Sequence, residues 1–331
     1  MTTAMIKSAT PETIKEAADI IRQGGLVGMP TETVYGLAAN ALDGKAIAGI
    51  FEAKGRPSFN PLITHVADTE EAQLYGEFSE GALTLAQTFW PGPLTMIVKR
   101  CKGCPISELV TAGLDTIALR VPAHKTARAL ISTSGCPIAA PSANISGRIS
   151  STTPKHVAEQ LGDKLDIILA DGQSQVGLES TVIDMSGDRP VLLRYGAVTA
   201  EDLEPYIGKV SMIEKADKIK SPGMLIKHYA PSIPVRLGAV DVKKGEALLG
   251  FGQTKFMGIE GGGFAKDLPE ESYKNLSEAG DLTEAAANLF AMMHALDNNA
   301  NQGIAVMNIP DTGLGLAIND RLKRASAGAA K

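Results

Sequence analysis

Apolar residues near the start of the chain recur at helical spacing. Ile14, Ala17, Ala18 and Ile21 fall three or four residues apart behind Thr10 and Pro11. That predicts a helix with a hydroxyl N-cap and proline at its first position, stopped by Gly24 and Gly25. Ile47, Ile50, Phe51 and Lys54 repeat the spacing, so Lys54 closes the apolar stripe of a second helix that Gly55 ends and Pro57 cannot continue. Between the two, LVGM (26–29) reads as a short strand, and PTETVYGLAANA (30–41) as a surface loop leading to the next helix. Further strands are predicted at PLITHV (61–66), LTMIVK (94–99), TIALRVP (116–122), PIAAP (137–141), DIILA (166–170), STVIDM (180–185) and VLLRYG (191–196), with helical stretches between several of them.

Strands interleaved with helices predict an α/β layer structure. Because proline and polar residues interrupt the runs, a twisted mixed sheet is expected rather than a regular βαβ series. The pattern weakens between Lys209 and Pro234, the best linker, and resumes at VRLGAV (235–240), EALLGF (246–251) and IAVMN (304–308). Asp281 with Glu284 reads as a capping box, ahead of a helix face of Leu282, Ala286, Leu289, Met293 and Leu296. A small second α/β domain follows. GFGQTK (250–255) lacks the third glycine of a dinucleotide fingerprint and is set aside.

A chain of 331 residues suggests two domains. Lys and Arg total 32 against 37 Asp and Glu, a net charge of −5, which argues against a general nucleic-acid coat or a membrane-surface protein but leaves room for a local basic cleft. No apolar run approaches the ~20 residues of a membrane span, and the start lacks a signal-peptide core, so a soluble cytoplasmic protein is expected. Cys101, Cys104 and Cys136 are an odd set; the CxxC they include has no second pair or histidine pair to complete a zinc site.

The sequence contains no phosphate loop of the GxxxxGK[ST] type, no HExxH and no GxSxG. Four stretches could carry chemistry instead: PTETVYG (30–36), KGRPSFNPLITH (54–65), RVPAH (120–124) and APSANISG (140–147). Each has a plain reading. Lys54 and Arg56 suit a helix C-terminus with its partial negative charge. Ser142, Asn144 and Ser146 are ordinary turn residues, Arg120 could be a surface charge, and His65 a structural histidine.

Taken together and in order, these stretches resemble the threonylcarbamoyl-adenylate synthase family, whose catalytic domain is called YrdC-like. Lys54 and Arg56 resemble its K-x-R pair, and Ser142 and Asn144 its S-x-N partner. PTETVYGL, FWPGPLT (89–95), AGLDTIALRVPAH (112–124), ESTVID (179–184) and LLRYG (192–196) resemble the catalytic domain, SPGMLIKHYAP (221–231) the linker of the two-domain branch, and GLGLAINDRLKRAS (313–326) the end of its C-terminal domain.

The resemblance implies an α/β fold: a twisted mixed sheet with a deep cleft in residues 1–208, a linker at 209–234 crossing the active site, and a smaller Rossmann-like α/β domain at 235–331. It implies a nucleotidyltransferase that joins L-threonine, bicarbonate or carbon dioxide, and ATP with its Mg²⁺ into threonylcarbamoyl-AMP and pyrophosphate. The product would serve a tRNA threonylcarbamoyl transferase complex, with contact to tRNA. Catalysis would rest on Lys54, Arg56, Ser142 and Asn144. ATP would also meet Asn60, Thr116, Ser150, Arg194 and Tyr229, the last as a lid against water. L-Threonine would meet Thr33, His65, Arg120, Ala140 and Ser180, with Arg120 on the carboxylate. No protein-held metal is implied. Two other classes are an RNA-binding YrdC-like module without synthase activity, and a carbamoyl-handling domain of the hydrogenase-maturation type, whose zinc-finger-like and acylphosphatase segments are not seen.

Overall fold

The computed structural model describes residues 5–57, 60–212, 228–255 and 257–329. The chain divides into two compact units. Met1–Ser146, Ser151–Gln175 and Glu179–Met224 form the first; Gly147–Ser150, Val176–Leu178 and Leu225–Lys331 form the second. Most of the expected linker, residues 213–227, lies outside the described residues.

The first unit begins β1 (Met5–Ser8), α1 (Pro11–Arg22), β2 (Val27–Met29), β3 (Gly36–Asn40), α2 (Gly44–Lys54), β4 (Ile63–His65), α3 (Thr69–Gln73), β5 (Gly76–Glu77), α4 (Glu80–Phe89) and β6 (Leu94–Arg100). It continues α5 (Glu108–Thr111), β7 (Thr116–Arg120), α6 (Lys125–Ser134), β8 (Ile138–Ala139), α7 (Pro154–Leu161), β9 (Ile167–Ala170), β10 (Thr181–Asp184), β11 (Val191–Arg194), α8 (Ala200–Ile207) and β12 (Ser211–Met212). Its strands form one sheet in the order β1-β9-β2-β3-β8-β4-β7-β6-β10-β11-β12, with β5 beside β6. The sheet is mixed: β4 and β7 run parallel, whereas β3 and β8 and then β6 and β7 run antiparallel.

Local chemistry sets the helix ends. Thr10 caps α1, and Thr13 Oγ1 reciprocates by accepting from the Thr10 N–H at 2.8 Å. Asp43 caps α2, and Gly55, at φ 59°, ends it in the left-handed region that glycine adopts without a Cβ penalty. The buried stripe of α2, Ile47, Ile50 and Phe51, joins the main core with Tyr35, Leu37, Leu62, Val98 and Leu119.

PTETVYGLAANA is not a surface loop. Residues 31–39 are buried, and 36–40 form β3, paired antiparallel to β2 on one side and to β8 on the other. The reason is close approach. A Cβ on Gly36 would stand only 3.0 Å from that of Ala140, and the small Ala38 and Ala39 let the strand lie fully enclosed.

The second unit holds β13 (Val235–Leu237), β14 (Glu246–Gly250), β15 (Tyr273–Asn275), α9 (Leu282–Leu296), β16 (Gly303–Val306) and α10 (Leu314–Ala329). The four strands are parallel in the order β13-β16-β14-β15. The expected capping box is half made. Asp281 accepts from the Glu284 N–H at 2.7 Å, but the Glu284 carboxylate accepts from the Ser277 hydroxyl instead of from the Asp281 N–H. The Ser277 oxygen in turn receives the Asp281 N–H, at 3.0 Å. Among the described residues no helix is long and apolar enough to cross a membrane.

Candidate active site

The parallel pair β4 and β7 organises the candidate site. His65 lies opposite Arg120 at the carboxyl end of the pair. Two residues before Ile63 and Ala118, which face each other, come Pro61 and Thr116 at the amino end. At ~3.3 Å per residue, the four steps from Thr116 to Arg120 span roughly 13 Å. Pro61 and Thr116 therefore mark one end of this pair of strands, and His65 and Arg120 the other.

At the amino end, Lys54 and Arg56 leave α2 and turn inward. The Lys54 ammonium, 2% exposed, donates to the Ser142 carbonyl at 2.5 Å and the Asn144 carbonyl at 2.6 Å. The Ser146 N–H returns a bond to the Lys54 carbonyl at 2.8 Å. The K-x-R and S-x-N segments are thus locked together, and through backbone atoms. Burial, reinforced by the Arg56 charge, pushes the Lys54 ammonium well below the ordinary lysine pKa, with Glu179 acting in the opposite direction. The Arg56 guanidinium donates to the carbonyls of Asn60 and Pro61, at 3.4 and 3.0 Å. Asn60 is buried, and among the described residues its side-chain oxygen has no hydrogen-bond partner.

At the carboxyl end, Arg120 is held on three sides. Nε donates to the Gly92 carbonyl at 3.2 Å, Nη1 to the Thr33 hydroxyl at 3.0 Å and Nη2 to Glu32 Oε1 at 2.5 Å. Gly92 sits in the WPGP turn, where a Cβ would stand 2.2 Å from the Phe89 carbonyl oxygen, so glycine is required. Burial, the largest influence on Glu32, raises its carboxyl pKa, but the Arg120 charge and the hydrogen bonds it accepts bring it below the ordinary value. A third cluster joins Arg194 to Ser180. Nε donates to the Ser180 carbonyl at 2.9 Å and Nη2 to its hydroxyl at 3.1 Å, and that hydroxyl lies 2.7 Å from the Thr95 hydroxyl.

Two family models match the chain. One, described as telomere recombination, covers residues 19–196, and the other, the threonylcarbamoyl-AMP synthase C-terminal domain, covers residues 198–327. The threonylcarbamoyl-AMP synthase of Pyrococcus abyssi is 43% identical over 326 residues, 95% of this chain and 94% of its own length. The chain belongs to the threonylcarbamoyl-AMP synthase family. The Bacillus subtilis synthase of that name is 41% identical over 95% of this chain and 93% of its own. The solved structure of P. abyssi Sua5 complexed with L-threonine superposes with a TM-score of 0.86 at 37% identity, covering 99% of this chain and 98% of that one. The α/β fold with a large mixed sheet expected from the sequence is therefore observed here and shared with a solved relative.

Within this family member, the expected residues fall into distinct groups. Lys54, Ser142 and Asn144 meet directly, as do Arg56 with the Asn60 backbone, Arg120 with Thr33, and Arg194 with Ser180. Ala140 donates its N–H to the Ile63 carbonyl at 3.1 Å, which leads the APSAN run from β4 toward Lys54. Thr116 stands at the opposite end of β7 from Arg120. Ser150 and Tyr229 are described with the second unit. The Ser150 carbonyl lies 3.2 Å from His294 Nε2, and Tyr229, at φ 62° and 1% exposed, places its ring 5.3 Å from that of Phe290 and 5.6 Å from the Arg321 guanidinium carbon.

Nothing in the sequence pattern marks Glu32, Glu179, Asp171 or His124 individually. Glu32, Glu179 and His124 lie inside stretches whose pattern is informative as a whole, but carboxylates at such positions look no different from solvated ones until their cations are located. His124 Nε2 lies 3.8 Å from Asp171, which also accepts from the Thr126 hydroxyl at 2.5 Å.

The pKa of His65 is displaced to about 3, chiefly by burial and then by the Arg120 charge. Its ring is expected to remain a neutral imidazole between about pH 5 and 8, as followed by ring nitrogen shifts in NMR; a titration midpoint inside that window would contradict this. A folded pKa of about 3 against the unfolded 6.5 means that the His65 contribution is complete above 6.5 and is lost as pH falls toward 3.

Proposed function

We propose that this protein is an L-threonylcarbamoyladenylate synthase, a nucleotidyltransferase that makes threonylcarbamoyl-AMP and pyrophosphate from L-threonine, bicarbonate or carbon dioxide, and MgATP. The neutral threonine amine forms a C–N bond with carbon dioxide, supplied as such or by loss of hydroxide from bicarbonate, and releases its proton to water, giving a carbamate. A carbamate oxygen then attacks the α-phosphorus of ATP, and the bond to the β-phosphate bridging oxygen breaks, releasing pyrophosphate. The central difficulty is charge, because one anion attacks another and a third departs.

The observation that carries this reading is the two-ended cationic layout along β4 and β7, with buried Lys54 and Arg56 at one end and buried Arg120 at the other. Lys54, Arg56 and Arg194 counter the triphosphate, and Lys54 does so with the N–H that its two carbonyl partners leave over. Asn60, Thr116, Ser142 and Asn144 contribute to the nucleotide. The unmatched Asn60 oxygen suits a donor from the ligand. Mg²⁺ arrives with the nucleotide. Arg120 takes the threonine carboxylate in its planar fork. Thr33, His65, Ser180 and the backbone at Ala140 surround the amine, hydroxyl and nascent carbamate. A histidine with a pKa of about 3 is too weak a base to hold the amine proton at neutral pH, so His65 serves as a hydrogen-bond partner.

The product is consumed by a tRNA threonylcarbamoyl transferase complex in the cytoplasm. An RNA-binding module without synthase activity finds no support among the relatives, which carry the synthase name. The test is pyrophosphate release from ATP with L-threonine, L-serine or no amino acid, in the presence and absence of bicarbonate. Release that requires both threonine and bicarbonate supports the reading; release indifferent to threonine removes it.

A further inference from the structure

We infer that Glu32 is a positioning residue for the amino-acid substrate: it holds the Arg120 guanidinium so that two of its N–H bonds face the substrate carboxylate. The inference rests on the synthase reading, in which Arg120 receives that carboxylate.

A guanidinium has five N–H donors. In Arg120 three are engaged, by Gly92, Thr33 and Glu32, and these fix the side chain at Nε, Nη1 and Nη2. One N–H remains on each terminal nitrogen, the number that a bidentate carboxylate requires. Without Glu32, Nη2 has no protein partner in this set, and the fork can rotate about the two remaining contacts.

Glu32 is itself immobilised. It is 6% exposed, and Oε2 accepts the His124 N–H at 3.3 Å, immediately before α6. His124, the N-cap residue of α6, makes no side-chain capping bond, so the Glu32 carboxylate also meets the positive end of that helix. Thr31 and Thr33, on either side of Glu32, lie 2.9 Å apart through their hydroxyls, and Thr31 donates to the Val34 carbonyl at 2.5 Å. One carboxylate thus ties a stiff turn, a helix start and the arginine into a single geometry.

A buried carboxylate beside a carboxylate-binding arginine would otherwise be counterproductive, because it lowers the net positive charge offered to the ligand. Its presence makes sense when orientation matters more than net charge. Displacement of a positioned group by about 1 Å can cost on the order of 100-fold.

The test measures L-threonine and ATP affinity by calorimetry on the full chain, for the parent, Glu32→Gln and Glu32→Asp. The expected result is L-threonine binding weakened by about 10- to 100-fold in Glu32→Gln, as loss of one charge-assisted hydrogen bond implies. Glu32→Asp keeps the charge but shortens its reach, and it is expected to weaken threonine binding by about 5-fold or more. ATP affinity stays within about 2-fold in both variants. A merely structural carboxylate would weaken both ligands together, and that result overturns the proposal. So does threonine affinity equal to the parent in folded Glu32→Gln. If Glu32→Gln does not fold, Glu32→Asp decides in the same way. A parent protein that binds no L-threonine instead removes the synthase reading, and this proposal with it.

Discussion

Lys54→Met is expected to lower pyrophosphate release by about 10²- to 10³-fold, the range for removing one preorganised charge that faces a transition state, while leaving the protein folded. Methionine preserves the apolar stem that packs at the end of α2 and deletes only the ammonium. Two effects then oppose each other in stability. The bonds to the Ser142 and Asn144 carbonyls are lost, each charge-assisted bond contributing about 1.5–3 kcal/mol. Against that, a cation whose burial drives its pKa well below the ordinary lysine value no longer has to be desolvated. The net change should be about 1–3 kcal/mol, a melting shift of a few degrees for a domain of this size. Activity and stability are therefore expected to separate widely. Melting curves and pyrophosphate assays on the same preparation check this. A folded Lys54→Met retaining more than about a tenth of parent activity would show that the lysine is only a fastener of the S-x-N turn.

Arg120→Leu is expected to reverse part of the pH dependence of stability. In the parent, the Glu32 pKa lies below its ordinary value, so its contribution is present above 4.5 and is lost as pH falls through the folded pKa. Removing the arginine leaves burial, the largest influence on this carboxyl, unopposed by its main charge partner. The folded pKa of Glu32 then rises above 4.5, and its contribution becomes fully present below that value and is lost as pH rises through the new one. His65 changes in the same sense. The Arg120 charge is the second cause of its depressed pKa, so without it the imidazole accepts a proton more readily and acid destabilises the fold less. His124, beside Glu32 and Asp171, faces the same cluster. Leaving a buried charge without its partner costs about 3–5 kcal/mol, and the loss should be larger at pH 8 than at pH 5. Urea unfolding at the two pH values measures it. A pH-independent loss would place the Glu32 carboxylate in contact with water.

Much of this architecture is legible in the sequence, because burial and period agree. The α2 stripe, the strands LTMIVK and TIALRVP, and the C-terminal IAVMN all bury the residues that their pattern marks. Where the physics is not periodic, the reading fails. β3 is built of Gly, Leu, Ala, Ala and Asn, without the β-branched residues that signal a strand, because the close approach of its neighbours excludes bulk. β1 lies at the sheet edge with Met5 and Ile6 more than half-exposed and exposed by half, so nothing in its polarity marks it. The candidate site divides in the same way. The residue types in K-x-R and S-x-N are visible, yet the partners of Lys54 are carbonyl oxygens, which every residue carries and no sequence pattern distinguishes. Glu32 stands in a stretch visible as a motif, but its role depends on an arginine 88 positions away.

The proposed reaction joins a threonine carbamate to the α-phosphate of ATP in one active site. The most direct measurement supplies ¹³C-bicarbonate, L-threonine and MgATP to the purified protein and follows the products by mass spectrometry at short times. The proposed reaction yields threonylcarbamoyl-AMP carrying a single ¹³C, formed in step with pyrophosphate and absent when threonine is omitted. ATP turnover that yields AMP and pyrophosphate at the same rate without threonine, with no labelled adenylate, would contradict it.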